Sequence, residues 1–153
     1  MRILVVCHRF PFPPARGGKI RPFNIIRHLS EQGHQVTVAS LARSSDEAEA
    51  GRGIAPHVHE FWVDTLGKVA PMARMVARLP TLVPSSMGYF YSPVIADRVR
   101  RALESRSFDA VLVHCSSVAQ YVAEFDDLPK LIDFGDMDSQ KWLEYANYRA
   151  WPL

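Results

Sequence analysis

The first nineteen residues constrain the fold more than any other part of the sequence. Arg2–Cys7 (RILVVC) is an apolar run of strand length, and a loop rich in proline, arginine and glycine connects it to a helical pattern that begins at Lys19. A strand that passes directly into a helix is typical of an open parallel sheet, in which the carboxyl end of the first strand lies at the ligand crevice. We therefore expect a ligand site to begin in this loop.

Strand and helix patterns alternate along the rest of the chain, which predicts an α/β domain. The predicted strands are 2–7, 35–41, 57–63, 109–114 and 130–134, and the predicted helices are 19–32, 66–79, 92–105, 116–125 and 138–149. Right-handed crossovers favour a Rossmann-like doubly wound parallel sheet of order 3-2-1-4-5. In that order the first and fourth strands are neighbours, so the loops after Cys7 and His114 face one crevice, beside the residues that follow Asp133.

Several finer expectations concern the helices and loops. The predicted helix 19–32 should end at Gly33 and bury one stripe made of Ile20, Phe23, Ile26 and Leu29. The helix that starts at Ser92-Pro93 should bury Val94. The Ser-, Asp- and Glu-rich segment 42–53 is predicted to be an exposed linker. Segment 80–91 is predicted to be a loop or short turn whose aromatic rings pack over the core.

The predicted helix Leu66–Leu79 has apolar residues at helical spacing together with three cations. A basic amphipathic helix of this kind can lie in a membrane interface. A stripe that faces the core is the commoner arrangement, and it is the one we expect here.

The bulk composition suits one soluble domain. The chain has 153 residues, of which 48% are hydrophobic and 22% charged, and no apolar run approaches the roughly 20 residues that cross a bilayer. The amino terminus is a strand with Arg2 in it rather than a signal peptide, so we expect a cytoplasmic protein, with peripheral contact at the inner face of the membrane left open. Two cysteines are too few for a disulfide framework or a zinc site.

Charge is distributed unevenly along the chain. The first thirty residues contain six cations and no acid, whereas the segment from Tyr121 onward contains more acids than bases. The basic end could meet phosphate or an anionic membrane, and a plain solvated surface explains the asymmetry equally well. No nucleic-acid-binding pattern occurs in the sequence, so we expect no nucleic-acid partner.

Arg16-Gly17-Gly18-Lys19 is the first candidate binding segment. It supplies two glycines that let backbone N–H groups approach an anion, two cations, and the amino end of a helix, whose dipole favours negative charge. The segment lacks the GxGxxG dinucleotide fingerprint, and it is not a P-loop. The alternative is a tight turn that merely requires glycine.

His114 lies at the carboxyl end of a predicted buried strand, where a polar side chain is costly unless it has a partner or a ligand. A histidine there can act as a general base or bind a hydroxyl-rich substrate, and a structural role is the alternative. His57 and His59 share one strand face without an evident third ligand, so we expect no metal site.

Three carboxylates, Asp133, Asp136 and Asp138, follow the fifth predicted strand. Carboxylates at this edge can orient sugar hydroxyls through charge-assisted hydrogen bonds. Helix capping is the alternative, and for Asp138 it is the favoured one.

Three stretches together resemble a known family: the opening RILVVCHRFPFPPARGGKIRPFNIIRHLSEQGHQVTVASL, the later DAVLVH, and LIDFGDMDSQKWLEYA. They are similar to the N-terminal half of family-4 retaining glycosyltransferases of the GT-B fold. Within that family the resemblance is to the sugar transferases associated with PEP-CTERM/exosortase exopolysaccharide systems of bacteria. The similarity covers nearly the whole chain, and its first and last motifs are the specific ones.

The resemblance implies two Rossmann-like domains that face each other across a cleft, of which the N-terminal one mainly binds the acceptor. Gly17 and Gly18 match the glycine loop that approaches the donor phosphates or the acceptor, and His114 matches the histidine that contacts the reacting sugar, which makes it the catalytic candidate. Asp133, Asp136 and Asp138 fall in a DxxDxDSxKW-like stretch. The co-substrate would be a nucleotide diphosphate sugar, and no other cofactor is implied.

Family members are more than twice as long as this chain. We therefore expect 1–153 to be the N-terminal acceptor-side domain of a truncated protein, inactive alone, with the C-terminal nucleotide-sugar-binding domain absent. The whole enzyme would transfer a sugar, with retention, to a polysaccharide or lipid-linked glycan. The fragment could dimerise through its exposed interdomain face. The alternative function is a non-catalytic Rossmann-like module that binds an anionic ligand or a partner protein.

Overall fold

The computed structural model describes residues 1–135, 143–145 and 147–148. The strands are β1 (Arg2–Cys7), β2 (Gln35–Ala42), β3 (Glu60–Thr65), β4 (Ala110–His114) and β5 (Lys130–Asp133). The α-helices are α1 (Gly17–Glu31), α2 (Ser45–Gly51), α3 (Val69–Arg78), α4 (Ser85–Tyr89) and α5 (Pro93–Glu104), and 3₁₀ helices occupy Arg52–His57 and Ser116–Tyr121. The predicted helix 138–149 lies largely outside the described residues.

The five strands form one parallel sheet of order β3-β2-β1-β4-β5, which confirms the predicted Rossmann-like architecture. Cys7 pairs in register with Ser40 on one side and with His114 on the other, and His114 pairs with Asp133. The carboxyl ends of β1, β4 and β5 therefore stop at one level, which brings His114 and Asp133 together.

Hydrophobic cores cover both faces of the sheet, so the apolar strand β1 is buried on both sides. On one face, Leu4 and Val6 pack in a cluster with Ile95, Val99 and Leu103 of α5. On the other face, the cluster contains Ile3, Val5, Cys7, Phe10, Phe23, Ile26, Val36, Val38 and Ile54. Helices on both faces leave the carboxyl edge of the sheet as the place where loops can form a site.

Helix α1 begins at Gly17, two residues before its predicted start, and ends at Glu31. Gly33 then adopts a φ of 79° and donates its N–H to the carbonyl of Ser30, so the predicted glycine stop is confirmed. Phe23 and Ile26 are buried as expected. The expected burial of Ile20 is wrong: it is 43% exposed, because it lies on the outer side of the helix.

Segment 42–53 is largely helical, so the prediction of a linker is wrong, but most of its residues are exposed, as predicted. Ala42 still belongs to β2, and Ser44 then caps α2 by accepting a hydrogen bond from the backbone N–H of Glu47. Gly51 is buried so tightly that a Cβ there would overlap the ring of Phe10. The 3₁₀ helix that follows delays β3 to Glu60, three residues after its predicted start.

Ser92 and Tyr121 tie the start of α5 to the rest of the domain. The Ser92 hydroxyl caps α5 by accepting a hydrogen bond from the N–H of Ile95, and the Tyr121 hydroxyl accepts one from the N–H of Ser92 and donates one to the carbonyl of Phe90, each at 2.7 Å. The predicted helix start is confirmed. The predicted burial of Val94 is wrong, since this side chain is 60% exposed in the first turn.

The aromatic segment before α5 packs on the core, as predicted. Its rings, those of Tyr89, Phe90 and Tyr91, contact the hydrophobic cluster that contains the buried residues of α5.

The prediction that the apolar stripe of 66–79 faces the core is wrong for most of the stripe. Leu66 is buried, but Val69, Met72 and Val76 of α3 are exposed.

Candidate functional site

A cavity of about 450 Å³ lies at the carboxyl ends of β1, β4 and β5. The loop after β1, the first turns of α1, helix α4 and the residues that follow β4 and β5 form its walls. Its lining residues are His8, Arg9, Gly17, Gly18, Arg21, Ser86, Phe90, His114, Cys115, Ser116, Ser117, Phe134 and Gly135. This is the edge at which a doubly wound sheet binds ligands.

Asp133 is the centre of the polar network at this edge. One carboxylate oxygen, Oδ2, lies 3.2 Å from Nδ1 of His114. The other, Oδ1, lies 3.0 Å from Nη2 of Arg21 and accepts the backbone N–H of Gly135 at 3.0 Å. Gly135 has a φ of 72°, a conformation that favours glycine. The carboxylate is only 10% exposed, so these donors replace most of its hydration.

His114 is fixed by this carboxylate. Its side chain is 6% exposed, and a neutral imidazole that donates Nδ1–H to Asp133 carries its lone pair on Nε2. The side chain belongs to the cavity wall. The pair can therefore present a hydrogen-bond acceptor of defined tautomer to a hydroxyl group in the cavity.

The amino terminus of α1 forms the opposite wall. Gly17 and Gly18 both line the cavity, and a Cβ at either position would meet no atom of the described residues within 4 Å. Packing therefore does not require glycine here. The absence of side chains instead lets a ligand approach the first backbone N–H groups of a fifteen-residue helix, whose dipole favours an anion.

The two predicted cations of this loop are not in the cavity lining. Arg16 is the exposed N-cap residue, and its side chain makes no capping hydrogen bond to the described residues. Nζ of Lys19 lies 2.5 Å from Oε1 of Glu47 at the start of α2, so this ammonium is paired within the fold. Asp136 and Asp138 lie outside the described residues.

Arg21 is, beside Arg9, a cation of the cavity lining that was not predicted from the sequence. It follows Gly17 by four residues and Gly18 by three, so all three share one helix face. That spacing could have identified it. Its ion pair with Asp133, which joins the first helix to the fifth strand, could not be predicted from the sequence.

The loop after β1 contributes two buried polar atoms, Nδ1 of His8 and Nε of Arg9, that have no hydrogen-bond partner in the described part of the chain. Such atoms are uncommon in folded proteins and indicate a place for water or a ligand. The His8 ring lies 5.3 Å from that of Phe90 and 5.8 Å from that of His114, between centroids.

Burial, helped by the charge of Arg9 and by the nearby His114, lowers the pKa of His8 to about 4. A histidine with a folded-state pKa below its unfolded value contributes its full stability above pH 6.5 and loses it as the pH falls towards 4, because the unfolded chain then binds the extra proton. We expect the free energy of unfolding to fall by about 2 kcal/mol more between pH 7 and pH 5 in wild type than in His8→Gln.

Urea denaturation at both pH values measures this difference. His59→Gln, at an exposed position before β3, is the matched control and should keep the wild-type pH dependence. Identical pH dependence in wild type and His8→Gln would contradict a neutral, buried His8.

Cys115 directly follows His114 and adopts a φ of 82° and a ψ of 128°, which is strained for a non-glycine residue. Its N–H donates to the carbonyl of Asp133 at 2.8 Å. This bond continues the β4–β5 pairing beyond the strands and turns the chain so that Ser116 and Ser117 line the cavity. The sequence carries no signal for this conformation.

The described residues contain no cluster of three or more histidine, cysteine, aspartate or glutamate side chains that could hold a metal ion. None of the helices among them is long and apolar enough to span a membrane.

No family model matches this sequence, and a search of the curated proteins gives no match. Similar solved structures include two of the C-terminal domain of the PF1911 hydrogenase from Pyrococcus furiosus. The first is 18% identical, with a TM-score of 0.52, and the match covers 86% of this chain and 91% of that one. The second is 16% identical, with a TM-score of 0.55 and coverage of 86% and 90%.

The structure of TcCGT1 in complex with UDP also matches, at 14% identity and a TM-score of 0.48. That match covers 97% of this chain and 32% of TcCGT1, so the chain spans about a third of that protein. At these identities the hydrogenase-domain structures establish a shared α/β fold and leave the chemistry to be argued from the site.

Proposed function

We propose that this chain is the acceptor-side domain of a glycosyltransferase of the GT-B fold, which moves a sugar with retention from a nucleotide diphosphate sugar to a polysaccharide or lipid-linked glycan. The proposal assigns residues 1–153 to the N-terminal half of the enzyme. A further domain would bind most of the nucleotide sugar, so the chain alone would be inactive. Beyond that co-substrate the proposal requires no cofactor.

The observation that supports the proposal most strongly is that one cavity contains both a group suited to bind a hydroxyl and a helix terminus suited to bind an anion. His114, held by Asp133, offers a hydrogen-bond acceptor suited to a sugar hydroxyl. Gly17 and Gly18 leave the amino terminus of α1 open to an anion, and Arg21, although its Nη2 pairs with Asp133, adds its remaining N–H donors beside it. A ligand with both hydroxyls and phosphate, such as a sugar diphosphate against a glycan, fits this combination.

The same arrangement suggests how the chain would take part in transfer. Departure of the nucleotide diphosphate leaves negative charge on the phosphate, and preorganised N–H groups and cations stabilise such charge where water is excluded. Arg21 and the first turn of α1 would supply part of that stabilisation. His114 would contact the reacting sugar and fix its orientation.

Gly18→Trp tests the site without disturbing the core, because nothing in the described chain occupies the space beside Gly18. The indole would fill the cavity mouth, and we expect transfer to fall at least about a hundredfold, as misplacement of a reacting group does. The assay uses the gene product with its complete downstream reading frame and a panel of nucleotide sugars. Gly67→Trp is the matched control: it also has open space, lies outside the cavity, and should keep wild-type turnover.

Unchanged transfer in Gly18→Trp would contradict the site assignment. A reading frame without a donor-binding domain, and no transfer from any nucleotide sugar, would contradict the enzyme itself. In that case, binding of a sugar phosphate that Gly18→Trp abolishes would identify the chain as a non-catalytic anion-binding module.

A further inference from the structure

The cavity at the carboxyl edge of the sheet contains a cation that no acid of the described chain neutralises. Arg9, in the loop after β1, belongs to the cavity lining. Its Nε is buried without a hydrogen-bond partner among the described residues, and none of their carboxylates forms an ion pair with it. Arginine stays protonated in folded proteins, so a charge is partly withdrawn from water here without compensation.

The surroundings of Arg9 add to this cost. Burial, followed by the charge of Arg43, lowers the pKa of Arg9. Glu47 acts in the opposite direction, but its Oε1 lies 2.5 Å from Nζ of Lys19 and its Oε2 accepts the backbone N–H of Arg43. Both oxygens of this carboxylate therefore have other partners. A negatively charged group in the cavity would satisfy a guanidinium that the described fold leaves unsatisfied.

Arg9 and Arg21 are drawn to different sides of the cavity. Arg21 pairs with Asp133 at the end of β5, whereas the charged side chains that act most strongly on Arg9, those of Arg43 and Glu47, follow β2. Strands β1 and β4 lie between β2 and β5, and adjacent strands are about 4.8 Å apart. The two guanidinium groups thus face different parts of a ligand.

Uncharged polar groups accompany Arg9 in the cavity lining. The pKa of His8 is about 4, so its ring is neutral at pH 7, and its Nδ1 has no partner among the described residues. The lining also contains Ser86, Ser116 and Ser117. Neutral imidazole and hydroxyl groups form hydrogen bonds with sugar hydroxyls as donors or acceptors. A cation among such groups suits an acidic sugar better than a bare inorganic anion.

We propose that Arg9 binds a carboxylate or phosphate group of the sugar acceptor and that His8 bonds to a hydroxyl of the same ligand. The acceptor is then an acidic glycan, one that contains a uronate or a phosphorylated sugar. The planar guanidinium forms charge-assisted hydrogen bonds with either oxyanion. The identification of this ligand as the acceptor rests on the proposed function, whereas the binding of an acidic sugar by Arg9 does not.

NMR titration of the purified chain with glucuronate, glucose 6-phosphate and glucose tests the proposal. We expect wild type to bind at least one of the two charged sugars about tenfold more tightly than glucose, and the tighter one shows whether the group is a carboxylate or a phosphate. Arg9→Gln should weaken that binding by about ten- to a hundredfold, because hydrogen bonds to charged groups are the strong ones. The affinity for glucose should not change.

Arg52→Gln is the matched control. It removes the same charge from an exposed residue that pairs with Glu49 and lies outside the cavity lining, so it should bind as wild type does. Thermal denaturation without ligand gives a second measurement. Because Arg9 has no ion pair to lose among the described residues, Arg9→Gln should be at least as stable as wild type, whereas loss of a structural arginine would lower Tm by several degrees.

Three results would overturn the proposal: wild type that prefers neither charged sugar to glucose, undiminished binding by Arg9→Gln, or a Tm of that variant several degrees below wild type. Tighter binding of inorganic pyrophosphate than of either charged sugar, lost in Arg9→Gln, would assign Arg9 to the donor and overturn the acceptor assignment.

The transferase proposal fails separately. Arg9-dependent binding of an acidic sugar, with no transfer from any nucleotide sugar by the complete gene product, would keep this site and reject the enzyme. Transfer to a neutral acceptor that Arg9→Gln leaves unchanged, with no Arg9-dependent binding of acidic sugars, would keep the enzyme and reject this site.

Discussion

Replacing His114 with alanine should lower kcat/KM of the proposed transferase by about a hundred- to a thousandfold, the usual effect of removing a group that stabilises a transition state. The imidazole is almost fully buried, held at 3.2 Å by Asp133, and forms part of the cavity wall. Its loss would remove a contact to the reacting sugar. Steady-state kinetics of the complete gene product measure the effect.

The Asp133→Asn variant keeps the His114 imidazole but changes its tautomer, so it tests whether the orientation and tautomer of the ring matter for turnover. The asparagine amide can donate to Nδ1 and so stabilise the tautomer that carries its proton on Nε2, which would no longer accept a hydroxyl proton. We expect turnover to fall while the fold is kept, together with a changed pH profile that a purely structural role would not produce. His59→Ala, at an exposed position before β3, should behave as wild type. Full activity in His114→Ala would contradict the catalytic assignment.

Phe10→Ala should lower the free energy of unfolding by about 3 to 5 kcal/mol, the range for truncation of a buried aromatic ring. The ring is 0% exposed, contacts that of Phe61 at 5.9 Å between centroids, and packs against Gly51 with no room for a Cβ between them. The N–H of Phe10 also donates to the carbonyl of Leu41 at 2.9 Å. Phe10 thus anchors the loop after β1, which forms part of the cavity wall.

Urea denaturation gives the size of this effect, and an unchanged m-value would show that the loss is one of stability. Phe134→Ala is the control, because its ring is 63% exposed and its removal should change stability by no more than about 0.5 kcal/mol. A loss below about 1 kcal/mol in Phe10→Ala would contradict the anchoring role.

The sheet and the meeting of His114 with Asp133 could be predicted because both follow from local pattern and from chain connectivity. Apolar runs mark the strands, right-handed crossovers restrict their order, and the register then places the two residues side by side. No knowledge of side-chain packing was needed for that step.

The errors arise where a pattern has two physical explanations. The amphipathic pattern of α3 is the same whether its stripe faces a core or the surface of the protein, so its exposure could not be predicted from periodicity. The Ser- and Glu-rich sequence of α2 resembles a linker, and only the cap at Ser44 and the close contact of Gly51 with Phe10 distinguish it. The pairing of Lys19 with Glu47 depends on that helix and was missed with it.

The Tyr121 hydroxyl would affect substrate choice in the proposed transferase. By joining the carbonyl of Phe90 to the N–H of Ser92, it fixes the α4 wall of the cavity to the 3₁₀ helix that follows β4. Phe90, which lines the cavity together with His114, is therefore held in place by the scaffold. If the chain is the proposed transferase domain, discrimination between sugars of different bulk should follow the volume of the side chain at position 90, which makes Phe90 the residue to vary in order to change specificity.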